Sequence, residues 1–261
     1  MKLLAIYFSG TGNTQYAVRQ FCSHFESAII CSIEDVIEIE NYNNADTILI
    51  AYPIYGSDMP YVIKDFLKAN AELFRDKNII TLATQLLFSG DGGVLATRLL
   101  KRQKIKFNHI ASIHINMPSN ISDLTVFKIK NGSENDKKIA KANKRIGKCV
   151  NIISNGKRVR YGRRFFISRC LGLFTQRLTF RFVEKRLRKK LKIDSAKCIP
   201  CVKCIKCCPA SNIVLQVNND TPNSLNKCTL CYRCINLCPQ KAISLMIKRK
   251  PKKQYKGVSF D

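Results

Sequence analysis

Eight of the thirteen cysteines fall into two copies of one pattern. Cys198, Cys201, Cys204 and Cys208 precede Pro209, and Cys228, Cys231, Cys234 and Cys238 precede Pro239, so C-x2-C-x2-C-x3-C-P is written twice. Each cysteine of the first copy is matched by one thirty positions later, which marks this stretch as an internal duplication, two linked units in about 60 residues. Gaps of two let three thiolates of one tight loop converge on three iron corners of a cube. The fourth corner needs a ligand from elsewhere. A disulfide framework and tetrahedral zinc are the other chemistries open to CxxC pairs, but neither needs the doubled fourth cysteine followed by proline. The repeat points to electron transfer.

The duplicated segment resembles the bacterial two-cluster ferredoxins, in which the fourth cysteine of each motif ligates the other cluster. That resemblance implies one 4Fe-4S cluster on Cys198, Cys201, Cys204 and Cys238 and a second on Cys228, Cys231, Cys234 and Cys208. The crossing ligands would knit both halves into one small α+β domain over residues 191–250. Cys207 is the leftover thiol of the loop, expected to be a non-ligand beside Cys208.

The other end of the chain carries a different device. An apolar run, Leu3 to Phe8, leads into Ser9-Gly10-Thr11-Gly12-Asn13-Thr14 and then into a helical pattern with Ala17, Val18, Phe21 and Cys22 on one side. Small and hydroxylated residues between strand and helix let amides and hydroxyls surround a phosphate at the helix amino terminus, where the dipole favours anions. No Lys follows the last glycine, so this is not a Walker loop. Glycines only two apart, with no third at the required spacing, do not make the dinucleotide fingerprint.

At these residues the chain resembles flavodoxins, whose first loop reads [ST]-x-T-G-x-T and holds the phosphate of FMN. Every defined position is met. The resemblance implies a flavodoxin-like, doubly wound, five-stranded parallel sheet over residues 1–155, with Ser9 to Thr14 anchoring FMN. Two further strands, Thr47 to Ala51 and Ile79 to Ala83, end in aromatic loops at the carboxyl edge, where open parallel sheets bind ligands. Pro53, Ile54, Tyr55 and Gly56 on one loop, and Thr84, Gln85, Phe88, Ser89 and Gly90 on the other, are therefore candidate cofactor contacts. Tyr55 and Phe88 are the candidates to flank the flavin ring, with ordinary core or surface aromatics as the alternative. The chain has no Trp, so the tryptophan stack of many flavodoxins is absent. Strands at Ala28 to Ser32 and Ile110 to Ile115 complete the sheet. Helices near Tyr61 to Ala69 and Val94 to Lys101 flank it, and a last helix from Ser133 presents Ile139, Ala142, Ile146, Val150 and Ile153 as a stripe.

The elements that must hold these two sites together are strongly basic. The net charge is +27, from 45 Lys and Arg against 18 Asp and Glu. Residues 1–155 carry 19 basic against 14 acidic residues, 156–197 carry 15 against 2, and 198–261 carry 11 against 2. Residues 156–190 read as a basic amphipathic helical connector, mixing Arg163, Arg164 and Arg186 to Lys190 with Phe165, Phe166, Ile167, Leu171, Leu173, Phe174, Leu178, Phe180, Phe182 and Val183. Packing between the two domains, peripheral contact with the inner face of an anionic membrane, and nucleic-acid binding all suit such a segment, in that order of preference. No recognised nucleic-acid module is visible. Lys203, Lys206, Lys227, Arg233 and Lys241 fall around the cysteines, which predicts acidic redox proteins as partners. Residues 251–261 read as a basic tail. His24, His109 and His114 lack metal spacing, and Cys22, Cys31, Cys149 and Cys170 are scattered, so buried or incidental roles are expected.

No segment reaches the apolar length of a membrane span, and the apolar start reads as a strand rather than a signal peptide, so a cytoplasmic, reducing location is expected. As a whole the chain resembles flavodoxin and ferredoxin fusion proteins of anaerobes. This implies an electron carrier relaying between two 4Fe-4S clusters and FMN, with an FMN-dependent reductase of a small substrate, fed by the clusters, as the alternative.

Overall fold

A parallel sheet organises the first part of the chain. The protein is described here by a computed structural model that covers residues 1–261 apart from 36–37, 89, 131, 161–176, 217–219, 247–250 and 259–261. Strands β1 (Leu3–Tyr7), β2 (Ala28–Ser32), β3 (Thr47–Pro53), β4 (Asn78–Gln85) and β5 (Asn108–Asn116) alternate with helices α1 (Asn13–Cys22), α2 (Ile39–Asn44), α3 (Tyr61–Ala69), α4 (Leu95–Arg102) and α5 (Gly132–Ser154). All neighbours pair parallel in the order β2-β1-β3-β4-β5. This is the flavodoxin-like order, with its switch point between β1 and β3. A sixth strand, β6 (Val159–Arg160), pairs with β5 at the sheet edge. It lies within the residues expected as connector, and two residues are too short for any alternation to announce them.

The strands read as unbroken apolar runs because helices cover both sheet faces. On one face α1 and α5 bury Tyr16, Val18, Phe21, Ala142, Ile146 and Val150 against Leu3, Leu49 and Leu82. On the other, α3 and α4 bury Ile63, Leu67, Ala96 and Leu100 against Leu4, Ile6, Ile48 and Ile50. His114, on β5, is a core histidine: its Nε2 accepts a hydrogen bond from the Gly93 amide at 3.0 Å. Burial first, then the nearby Arg145 charge, lowers its pKa to about 4.

The duplication seen in the cysteines is also a structural one. Helix α6 (Leu178–Leu187) leads to β7 (Lys192–Ile193), α7 (Lys203–Lys206) and β8 (Ile213–Val214), then β9 (Asn223–Ser224), α8 (Arg233–Leu237) and β10 (Ile243–Ser244). Antiparallel pairs form between β7 and β10 and between β8 and β9, so each two-stranded sheet takes one strand from each repeat. Equivalent positions thirty apart share their backbone. Val202 and Tyr232 both have positive φ, as do Ser211 and Lys241. The Asn212 amide donates to Cys208 Sγ, and the Ala242 amide to Cys238 Sγ.

The second domain rests on the carboxyl end of the sheet. Asp123, in the loop after β5, is buried and accepts three hydrogen bonds from the duplicated unit, from Tyr232 Oη at 2.8 Å and the amides of Leu245 and Met246 at 2.9 and 2.7 Å. Tyr61 Oη donates to the Lys227 carbonyl, and the Arg188 guanidinium lies 4.1 Å from the Tyr61 ring centroid. At the start of α6, Arg177 is buried. It donates to the Ser57 carbonyl and pairs with Asp91, which Arg98 holds from the other side at 2.6 Å. Burial alone would raise the Asp91 pKa, but the two guanidinium groups outweigh it and hold the carboxyl below its ordinary value. Of the expected connector residues, Arg163, Arg164, Phe165, Phe166, Ile167, Leu171, Leu173 and Phe174 lie outside the described residues. The expected basic tail instead packs back: Tyr255 is buried, its hydroxyl hydrogen-bonds the Asn13 side chain, and Gln254 Nε2 donates to the Ile235 and Cys238 carbonyls. Among the described residues no helix is long and apolar enough to cross a membrane.

Candidate functional site

The loop between β1 and α1 is built for an anion. Gly12 takes φ +92°, a conformation costly for residues with a Cβ, and so turns the chain into α1 without a side-chain cap. Its amide is held by Ser9 Oγ at 3.1 Å. Among the described residues no acceptor meets the amides of Thr11, Asn13 or Thr14. These first-turn donors, at the positive end of a ten-residue helix, are what a phosphate needs. The side chains are fixed around them. Thr14 Oγ1 shares a buried 2.7 Å hydrogen bond with Thr84 Oγ1, Asn13 Nδ2 donates to the Pro118 carbonyl, and Asn120 Nδ2 donates to Thr11 Oγ1.

Beside this loop opens a cleft enclosing about 760 Å³ of empty space, including its mouth. Ser9, Gly10, Thr11, Asn13, Thr14, Pro53, Ile54, Tyr55, Gly56, Thr84 and Gln85 all line it, each expected from the sequence. Gly12 lies outside this lining and faces the opposite side of the loop, toward Tyr255 and Gly257. Phe88 is 44% exposed and outside the cleft, as is the buried Gly90, which takes a φ of +56°; Ser89 lies outside the described residues. Besides Tyr55, the cleft takes an aromatic that was not expected there, Phe180 of α6. A Cβ on Gly56 would meet its ring at 2.1 Å, so only glycine lets Phe180 lie there.

Sequence reasoning also missed the loop Met117–Ile121 and, from the second domain, Leu230, Tyr232 and Met246, which wall the cleft. No spacing rule ties these to the phosphate loop. Two buried polar atoms of the lining, Tyr55 Oη and Gln85 Oε1, have no hydrogen-bond partner. Burial, followed by the neighbouring Cys231, raises the Tyr55 phenol well above its ordinary pKa, so it stays a neutral donor. Unpaired amides at one end and unpaired side-chain groups along the wall suit a ligand with a phosphate and a polar-edged ring, and FMN fits that description.

The eight motif cysteines gather as two sets of four. Cys198, Cys201, Cys204 and Cys238 line one cavity, and Cys208, Cys228, Cys231 and Cys234 line another. Cys207 lines neither. All described cysteines are free thiols. Among the described residues no group of three ligand side chains is drawn tightly enough for a single metal ion. The four cysteines of each set instead share the lining of one cavity. Burial pushes the Cys228 thiol up to about 11 and the Cys231 thiol up to about 12, so deprotonating them requires the positive charge that a metal brings.

The two sites touch. A Cβ on Gly10 would stand 2.6 Å from the Cys231 carbonyl oxygen and 2.9 Å from Tyr55 Oη, so glycine here lets the cysteine loop reach the phosphate loop. Arg233, read from sequence as a surface charge, turns inward. It donates to the carbonyls of Ser9 at 2.7 Å, Gly10 at 3.0 Å and Cys207 at 3.1 Å, and to both Glu34 oxygens. Its charge thus sits behind the anion loop.

Among known proteins, a model of the 4Fe-4S binding domain matches residues 224–244, which hold Cys228, Cys231, Cys234 and Cys238. No curated protein matches the chain. Solved structures similar to it include a flavodoxin from the domain Archaea, 14% identical with TM-score 0.39, over 59% of this chain and 99% of that one. Two-electron reduced Megasphaera elsdenii flavodoxin is 18% identical with TM-score 0.38, over 54% and 97%. A flavodoxin-type WrbA-like protein from Agrobacterium tumefaciens is 15% identical with TM-score 0.40, over 59% and 98%. The strand order β2-β1-β3-β4-β5 by itself makes the first domain flavodoxin-like.

Proposed function

We propose that this chain, a flavodoxin-like domain joined to a 4Fe-4S ferredoxin domain, relays electrons between two 4Fe-4S clusters and FMN. The observation that carries the reading is the shared wall of the cleft. Leu230, Tyr232 and Met246 of the ferredoxin domain close the same space that the phosphate loop and the Tyr55 loop open. FMN, when bound, supplies one- and two-electron chemistry, whereas clusters pass electrons singly. The residues do the rest. The amides of Thr11, Asn13 and Thr14 would hold the phosphate, Tyr55 and Gln85 would meet the ring edge, and Phe180 would exclude water from one side. Cys198, Cys201, Cys204 and Cys238 hold one cluster, and Cys208, Cys228, Cys231 and Cys234 the other. Thiolate ligands in this number fit a reducing compartment.

A reductase that meets a small substrate at the ring has less support, because ferredoxin residues and Phe180 take up the cleft wall. Anaerobic purification with iron, sulfide and flavin quantitation, and electron paramagnetic resonance of the reduced protein, tests the proposal. Two cubane clusters and one FMN per chain are expected. Clusters without flavin would leave a ferredoxin on a flavodoxin-like scaffold and end the relay reading.

A further inference from the structure

The two cysteine sets are equivalent in sequence and unequal in place. Tyr232 lines both the flavin cleft and the cavity of Cys208, Cys228, Cys231 and Cys234, whereas among the described residues none lines both the cleft and the cavity of Cys198, Cys201, Cys204 and Cys238. Cys228, Cys231 and Cys234 are all buried, and Cys231 belongs to the apolar core of the first domain. Three of the other set, Cys198, Cys201 and Cys238, are partly open to solvent, next to Ile199, which is 45% exposed.

Charge follows the same division. At the position where the inner repeat has Arg233 folded onto the anion loop, the outer repeat has Lys203, exposed at the lip of the outer cavity. Lys206 stands exposed one turn on, and no carboxylate among the described residues pairs with either lysine. An apolar residue beside solvent-reachable cysteines, flanked by two ammonium groups that no described carboxylate pairs, is complementary to an acidic protein surface.

We infer that electrons cross between an external partner and the flavin in the fixed order outer cluster, inner cluster, flavin, and that the partner is an acidic one-electron redox protein docking over Ile199, Lys203 and Lys206. This rests on the relay reading above. Each encounter moves one electron: the partner loses one and the outer site gains one, or the reverse. Two encounters, with protons drawn from water, balance a two-electron change at the flavin.

The test uses the anaerobically prepared full chain and, as probe, a small acidic ferredoxin reduced beforehand with dithionite and freed of excess reductant. Bleaching of the clusters in the visible is followed by stopped flow, a readout that needs no flavin. Lys203→Glu/Lys206→Glu is expected to slow the exchange by about ten-fold or more at low salt and to match the unmodified chain at high salt, where steering is screened. Equal rates at low salt overturn the docking site. So does a deficit that persists at high salt, which would report an altered potential. Lost binding to phosphatidylglycerol vesicles with unchanged protein exchange would overturn it in favour of a lipid surface.

The order is read from Cys198→Ala/Cys201→Ala. Its flavin is expected to stay quenched by the inner cluster, while reduction of that flavin by the probe falls by about ten-fold or more. Reduction at the original rate overturns the order. A chain that binds no flavin at all would defeat the relay reading instead, and the lysine arm would still decide the docking face.

Discussion

Replacing Gly10 by alanine tests the contact between the loop of Cys231 and the anion loop. Gly10 does not have positive φ, so alanine is not penalised by backbone conformation. The penalty comes from what the new methyl meets: the Cys231 carbonyl at 2.6 Å and Tyr55 Oη at 2.9 Å. The first is backbone in a buried loop that Arg233 ties down through the Ser9 and Gly10 carbonyls, and it cannot swing aside. Overpacking of this kind costs about 1–3 kcal/mol, and a backbone obstacle places Gly10→Ala near 3 kcal/mol. Gly12→Ala is the control. Its φ of +92° costs roughly 1–2 kcal/mol, but a Cβ there finds only Gly257 Cα at 4.0 Å. Urea unfolding of the two variants, alongside flavin fluorescence of the reconstituted chains, separates strain from separation of the domains. Gly10→Ala should lose more stability and should brighten the flavin, because the inner cluster retreats from it. Gly12→Ala should weaken phosphate binding yet leave bound flavin as quenched as before. Equal stability losses with equal quenching would refute the contact between the loops.

Other perturbations reach the supports of the site. Between pH 6.5 and about 4 the unfolded chain takes up a proton that buried His114 refuses, so stability falls as pH drops through that window. Denaturant titrations should show roughly 3 kcal/mol of this loss missing in His114→Asn. Arg177→Met strips a buried partner from Asp91 and frees the Ser57 carbonyl, and should cost about 3 kcal/mol in the same assay. The exposed face of the pair, probed by Arg98→Met, should cost less. Phe180→Ala should weaken FMN binding by about ten-fold in a fluorescence titration, whereas Phe88→Ala should leave it unchanged. The reverse result would return the ring-flanking role to Phe88.

What could be read from the sequence was what repeats or alternates. Unbroken apolar runs such as Ile48 to Ala51 announce strands buried on both faces, and the stripe Ile139, Ala142, Ile146, Val150 and Ile153 announces α5. The Ser9 to Thr14 loop and the cysteine spacing carry their chemistry in residue type alone. Three features had no such signal. β6 is too short to alternate. Phe180 sits in a stretch where apolar and basic residues mix, so its neighbours cannot tell which aromatic turns toward a cleft formed mostly by residues of the first domain. Tyr255 lies in a basic segment whose composition gives no sign of burial, yet its hydroxyl meets Asn13 at the far end of the chain and its amide donates to Asn236 Oδ1.

The direction of the ferredoxin domain, by contrast, was written in the differences between its repeats. Cysteine for cysteine the halves agree, and their backbones agree at Val202 and Tyr232. Around that frame the first repeat carries Pro200, Val202 and Lys203, and the second carries Leu230, Tyr232 and Arg233. Residues of the second set can bury: leucine and tyrosine offer area, the phenol reaches Asp123, and the guanidinium fork satisfies three carbonyls and a carboxylate at once. Lysine at the equivalent place offers no such fork and stays in water. At unchanged cysteine positions this change of side chains turns one cysteine set toward the cleft and leaves the other facing solvent, which is the asymmetry the proposed relay needs.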